Sequence, residues 1–469
     1  MLALSVALSA ESTAGEASGE EVQLQGAILV IIDTARADHM SPYGHRRDTA
    51  PGLQELAARG VLFEQVVSYS PWTLPSVAAI LAGDRFSRAY DVGKAALRRS
   101  LVEEIQRAGY TTAAITEGGF VSAHFGFDRG FGEFREEQGA VRLEADGESQ
   151  RAQAGGGIQQ TFSLAREWLR EHSDERFFLL IHTYEPHTPY QRLFFTTGLP
   201  RGELKPVLDG EMLGKIRSGE LEIGDLERRY ASALYDGGLR VADNELSGLI
   251  ELLEQIDLAD RTLLVVTSDH GEELGEHYPQ HLGDHGHALF DEQLLVPLVI
   301  ADPTRSYSRP RVSAQVRSID VMPTIADLLA VPIAGVDGRS LVPLMRGEEI
   351  RDRIAFGGVT RLTPPRYFIR HGGYKYIESS ARAGAQELSP APPRIQLYDL
   401  RSDPGEQRNL ADEDPKRVRE YHRRLAEYLS VSQGIPEAES AEGAESIESA
   451  TQDLEPALRE RLRSLGYVD

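Results

Sequence analysis

Residues 68–83 read SYSPWTLPSVAAILAG and set one threonine, Thr73, between a tryptophan and a Leu-Pro pair. Pro75 suits the first position of a helix and Gly83 its stop, so the spacing predicts that Thr73 sits just before a helix N-terminus. Backbone N–H groups and the helix dipole favour negative charge at such a place. A threonine there either caps the helix or, where a metal ion lowers the pKa of its hydroxyl, becomes a nucleophile. Ligands for that ion are offered by strand ends elsewhere. Asp33 closes the apolar run GAILVIID, Asp269 and His270 close LLVVTSDH, and His182 and His187 lie at and beyond the end of FFLLIH. A carboxylate at the tip of a buried strand gains nothing unless something pairs with it. Asp33, Asp269 and His270 make an oxygen–nitrogen set suited to one divalent cation, although a lone strand-end aspartate is also an ordinary turn residue. The stretch SDHGEELGEHYPQHLGDHGHALFDE carries five of the 13 histidines, from His270 to His287. One imidazole beside a reacting centre protonates a leaving oxygen or binds an oxyanion, while others in such a loop are solvated.

The elements that position these residues alternate. A buried strand at 26–33 is followed by helix, Gly60 and strand in TAPGLQELAARGVLFEQVVS. The same order recurs in LVEEIQRAGYTTAAIT, FSLAREWLREHSDERFFLLIHTY and NELSGLIELLEQIDLADRTLLVVTSD. Alternating helices and apolar strands predict a doubly wound α/β sheet, whose ligands bind at the carboxyl ends of the strands. LLVPLVIAD (294–302) reads as one more buried strand, and SIDVMPTIADLLAV (318–331) as a helix with Pro323 in its opening turn. Beyond about residue 350 the texture changes to antiparallel hairpins, a charged helix at 411–430, a Glu/Ala/Ser-rich linker at 432–453 and a terminal amphipathic helix. Residues 139–160 and 190–230 read as surface insertions that shape the pocket.

Composition narrows the function. The 469 residues carry a formal charge of −23, which argues against nucleic-acid binding and against electrostatic docking on an anionic membrane. There are no cysteines, hence no thiolate metal site and no cysteine nucleophile. The first ten residues are apolar and end in ALSA, like the tail of a signal peptide, which points to a periplasmic or secreted protein. No later run approaches the roughly 18 apolar residues of a membrane span.

Several long, collinear stretches carry a resemblance: ILVIIDTARADHMSPYGHRRDTAPGLQELAARGVLFEQ, SPWTLPSVAAILAG, FGFDRGFGEF, IHTYEPHTPY, TSDHGEELGEH, VDGRSLVPL and LYDLRSDPGEQRNL. Over about residues 26–412 the chain resembles the sulfatase family of the alkaline-phosphatase superfamily. The resemblance implies an alkaline-phosphatase-like doubly wound, mostly parallel sheet with a small C-terminal antiparallel α+β subdomain. The chain then divides into a lead (1–25), a catalytic domain (26–348), the small subdomain (349–412) and a helical tail with its acidic linker (413–469). It implies Thr73 at the nucleophile position and a metal set of Asp33, Thr73, Asp269 and His270, with His187 and His285 as further catalytic residues. The cofactor is one divalent ion. Two carboxylates and one nitrogen favour zinc or manganese, while sulfate-cleaving relatives commonly hold calcium.

The chain also departs from the family pattern. Most sulfatases carry a cysteine or serine at the position of Thr73, converted to formylglycine, a conversion closed to threonine. A basic residue is usual where Val77 stands, a second acid where Thr34 stands, and a lysine-bearing segment near AITEGGF. The pattern is similar to the threonine-nucleophile branch, with its phosphoethanolamine transferases and phosphodiester or phosphonate hydrolases. The expectation is a metal-dependent hydrolase or transferase acting on a small anionic sulfate or phosphate ester through Thr73. The alternative is a catalytically impaired, sulfatase-like binding protein.

Overall fold

Seven consecutive apolar residues, Gly26–Ile32, form strand β1 and are buried along their whole length. Such a run suits a strand covered on both faces, and β1 lies in the middle of an eight-stranded sheet. The computed structural model describes residues 23–137, 157–359, 365–379, 393–432 and 454–465, with the backbone of 140–141 and 154–155. The signal-like residues 1–22, most of the 139–160 insertion and the linker at 433–453 lie outside the described residues.

The remaining strands of the sheet are β2 (Val61–Phe63), β3 (Thr111–Thr116), β4 (Glu133–Glu136), β5 (Phe177–Thr183), β6 (Thr262–Thr267), β7 (Leu298–Ala301) and β8 (Arg311–Val312), in the order β8-β2-β7-β6-β1-β5-β3-β4. Strands β6, β1, β5, β3 and β4 run parallel, and β7 runs antiparallel to both of its neighbours. The register sets Ile31 opposite both His182 and Thr267, so β1, β5 and β6 end side by side. Their terminal polar residues therefore emerge at one place.

Alternate side chains of β1 feed two cores. Ala27, Leu29 and Ile31 face one, where helix α2 (Thr73–Ala82) packs, with α3 (Val102–Arg107) and α6 (Val321–Leu328) beside it. Ile28, Val30 and Ile32 face the other, under α1 (Pro51–Arg59), α4 (Gly157–Glu171) and the long α5 (Asp225–Gln255). The doubly wound sheet expected from the sequence is thus the one observed.

Local boundaries differ from the sequence reading. Helix α2 begins at Thr73 with Trp72 as its N-cap, so Pro75 is its third residue and not its first. Its stop is Gly83 at φ 62°, a left-handed conformation that glycine adopts without strain. The expected strand at 294–302 is broken at Pro297, which has no N–H to donate. Leu295–Val296 joins a separate three-stranded sheet, and Leu298–Ala301 becomes β7. The helix expected at 318–331 opens as a 3-10 turn and is α-helical only over Val321–Leu328.

A second, four-stranded antiparallel sheet comprises β9 (Ala355–Val359), β10 (Arg366–His371), β11 (Tyr374–Ser379) and β12 (Ile395–Asp399). It packs on α7 (Pro415–Ser432) through Ile369, Tyr376, Leu397, Tyr421 and Leu425. Lys375 of β11 is fully buried and reaches back to Asp291 at 2.6 Å and Glu406 at 2.8 Å. It thereby ties this sheet to the end of the histidine-rich loop. A final helix, α8 (Pro456–Ser464), returns to the large domain. Among the described residues no helix is long and apolar enough to cross a membrane.

Removing one partner from a buried ion network strands the others. The substitution Lys375→Met is expected to destabilise the fold by about 3–5 kcal/mol in urea unfolding. An unchanged midpoint and slope would show that the clamp contributes nothing.

Candidate active site

The carboxylates of Asp33 and Asp269 are buried and close together, because β1 and β6 end in register. Asp269 Oδ1 accepts from the amides of Thr34 at 3.3 Å and His270 at 2.9 Å. Its Oδ2 has no hydrogen-bond partner, and neither has Asp33 Oδ1. His182, from the end of β5, brings Nε2 to 3.7 Å from Asp33 Oδ2, and both of its ring nitrogens lack a hydrogen bond. Ligand atoms of Asp33, His182 and Asp269 all lie within 4.8 Å of one another. Unsatisfied buried carboxylate oxygens are costly without a compensating charge. The donor set therefore fits a divalent cation, held by oxygen and imidazole nitrogen.

Electrostatics agree. Burial, and next the charge of Asp269, hold the Asp33 carboxyl well above the usual range. Burial pushes the His182 imidazole down to about 4, which keeps it neutral and able to donate a lone pair. Thr34 adds a further unpartnered buried oxygen, Oγ1, and sits at φ 57°. A β-branched residue in this left-handed region stores strain, as segments shaped around a site do. The neighbouring loop is pinned by Ser268 Oγ, which accepts from Ala35 N at 3.0 Å and donates to the His270 carbonyl at 2.7 Å.

Thr73 opens α2 directly beside this cluster. Its hydroxyl donates to Asp33 Oδ2 at 3.0 Å and lies 3.3 Å from His270 Nε2. His270 Nδ1 lies 2.8 Å from the Gly271 carbonyl, a contact that fixes the proton on Nδ1 and leaves Nε2 as the lone-pair nitrogen facing Thr73. Burial lowers the pKa of this ring. One turn along α2, Val77 is packed in the core, so this helix offers no cation at that position.

Two more imidazoles complete the pocket. The ring of His285 lies 4.5 Å from that of His270 and 4.9 Å from that of His187. His285 Nδ1 is 3.0 Å from Glu272 Oε1, and Tyr190 Oη donates to Glu272 Oε2 at 3.0 Å. Burial holds the Glu272 carboxyl well above the usual range. His187 Nδ1 is 2.8 Å from the Thr188 carbonyl, and burial pushes this imidazole down to about 4.

The sequence matches the Sulfatase family model over residues 25–331. The chain belongs to the sulfatase family. It is 26% identical over 417 residues to a choline-sulfatase of Rhizobium meliloti (strain 1021), covering 77% of this chain and 78% of that one. A phosphonate monoester hydrolase of Agrobacterium radiobacter superposes with a TM-score of 0.66 at 20% identity, over 87% of this chain and 96% of that one. A protein solved with its substrate D-glucosamine-2-N,6-O-disulfate superposes at 0.69 and 19% identity, over 89% of this chain and all of that one. These superpositions concern the fold. Members of the sulfatase family typically use a divalent metal, and the cluster at Asp33 supplies ligands for one.

Asp33, Thr73, Asp269 and His270, named as metal-site residues from the sequence, converge at one point, and His187 and His285 border it. The sequence places His182 only at its strand end, outside the metal set. Its pairing opposite Ile31 aims it at Asp33, and no spacing within FFLLIH reveals this. Nothing in TSDHGEELGEH marks Glu272 as part of the site. His39, His45 and Asp236 form another candidate cluster, but Arg47 Nη1 stands 2.6 Å from Asp236 Oδ2 and already supplies positive charge.

Protons compete with metal for the Asp33 carboxyl, whose pKa is raised in the metal-free protein. Metal binding is therefore expected to release protons and to strengthen as pH rises. Calorimetric titration in buffers of different ionisation enthalpy measures this, and a pH-independent affinity would contradict it. His182→Ala is expected to weaken binding by about 10–100-fold.

Proposed function

We propose that this sulfatase-family chain is a metal-dependent ester hydrolase in which Thr73 itself is the nucleophile, without formylglycine. The observation that carries the reading is the Thr73 hydroxyl, held between Asp33 Oδ2 and His270 Nε2 at the first residue of a helix. Asp33, Asp269, His182 and His270 would hold the cation, which lowers the pKa of the adjacent hydroxyl and draws charge from the ester oxygens.

The rest of the chemistry belongs to the chain. Thr73 Oγ1 attacks the phosphorus or sulfur of a small anionic ester, and its proton leaves along its hydrogen bond to Asp33. Backbone N–H groups at the start of α2 face the developing negative charge. The ester P–O or S–O bond breaks, and the departing oxygen takes a proton from His285 Nε2, whose other nitrogen rests on Glu272. His187, neutral and braced on the Thr188 carbonyl, lines the same side as a hydrogen-bond acceptor. The covalent Thr73 ester is then cleaved by water at its central atom, with His285 as base, and the departing Thr73 Oγ1 takes back the proton held at Asp33.

That last step favours phosphorus. A formylglycine hydrate expels sulfate by breaking a C–O bond, a route closed to a threonine ester. Phosphoryl esters accept attack at the central atom more readily than sulfuryl esters do. The resemblance to both a choline-sulfatase and a phosphonate monoester hydrolase keeps both classes among the substrates to be assayed.

Thr73→Ala is expected to lower kcat by at least about 1,000-fold on phosphate and sulfate esters while metal content stays at the wild-type level. Thr73→Ser is expected to retain measurable turnover. Acid quench of wild type during turnover should show a phosphorylated or sulfated Thr73 by peptide mass spectrometry. Wild-type rates in the alanine variant would remove Thr73 as nucleophile.

A further inference from the structure

We propose that Arg461, on the C-terminal helix, is a positioning residue for the catalytic turn that carries His187. Helix α8 lies outside the 25–331 region that matches the family model. Leu454, Leu458 and Leu462, four residues apart, are buried against the core shared with α2. This docking delivers Arg461 to the carboxyl end of the sheet, where its side chain is 12% exposed.

The partner there is Glu117, the residue after β3, itself 3% exposed. Arg461 Nη2 donates to Glu117 Oε2 at 2.9 Å, and Nε donates to the Glu117 carbonyl at 3.0 Å. Glu117 in turn accepts from Thr183 Oγ1 at 2.6 Å and from the Tyr184 amide at 3.3 Å. These are the residues at which β5 ends and the turn to His187 begins. The His187 amide donates to the Tyr184 carbonyl at 2.9 Å. The Tyr184 ring stands between the two imidazoles, 4.8 Å from His182 and 5.8 Å from His187, and the Arg461 guanidinium lies 5.3 Å from it.

A continuous set of contacts thus runs from Arg461 through Glu117 and Tyr184 to His187. All four residues line one cavity of about 130 Å³. The arrangement solves a charge problem. A buried carboxylate is costly alone, and Arg129, the arginine of the loop after β3, is engaged by Glu103 and the Leu97 carbonyl. The cation comes from a segment 344 positions away. With Arg461 in place, Glu117 grips both Thr183 and Tyr184. Without it, the buried carboxylate loses its counter-ion, and the turn loses its anchor.

The kinetic arm of the test rests on the proposed hydrolase reading, and the spectroscopic arm does not. In R461Q, kcat is expected to fall by about 100-fold with a much smaller change in KM, at unchanged metal content. R461K should recover part of the loss, since lysine restores the charge but not the two-pronged grip. The double variant E117Q/R461Q should exceed R461Q, because no uncompensated acid remains. Independently of turnover, the imidazole nitrogen resonances of His187 should shift between wild type and R461Q in heteronuclear spectra. Wild-type kcat in R461Q, activity lost only in proportion to the folded fraction, or superimposable His187 resonances would each overturn the proposal.

Discussion

Two carboxylates, Asp33 and Asp269, are buried and forced together. Each uses part of its hydrogen-bonding capacity on the chain: Asp269 on two backbone amides, Asp33 on the Thr73 hydroxyl. Each also keeps one oxygen without a partner. Repulsion between two such groups in a low-dielectric interior is severe unless a proton or a cation intervenes. The surrounding imidazoles offer lone pairs in place of charge, so the site as built calls for a cation. The helix start at Thr73, the strained Thr34 and the neutral His182 follow from that need.

The sheet meets the constraint through register. Strands β1, β5 and β6 end level, so one residue from each tip reaches the same point. Loops that arrive from further away need bracing. The histidine-rich loop is held at its far end by the Lys375 clamp and by Arg366, whose Nη1 donates to the His287 carbonyl at 3.1 Å. The small antiparallel sheet thus serves the histidine-rich loop as a buttress. Helix α8 does the same for the turn after β5. The large domain supplies the clustered polar groups, and the two C-terminal elements brace its loops.

Much of this was readable in the chain. Apolar runs that end in an acid marked β1 and β6, because a fully buried strand leaves its tip as the first place a charge can stand. The order of helix and strand gave the doubly wound sheet, and Thr73 stood out because a Trp–Thr–Leu–Pro start to a small apolar helix leaves one reactive group. What escaped depends on distances along the chain too long for spacing to report. The aim of His182 is set by pairing with β1. Arg461 and Glu117 meet only after the tail folds back, and each alone reads as an ordinary surface charge. Pro297 breaks a run whose apolar residues on both sides read as one strand. The helix starts at Thr73 in place of Pro75, with Trp72 as its N-cap packed edge-on against Phe120 at 5.3 Å between ring centroids.

The most direct test is anomalous diffraction from crystals of the metal-loaded protein, collected at the absorption edge of the bound metal. One peak is expected among Asp33, His182, Asp269 and His270, with Thr73 Oγ1 about 2.0–2.6 Å away. A peak confined to His39, His45 and Asp236, or a Thr73 side chain turned away from the metal, would contradict the account.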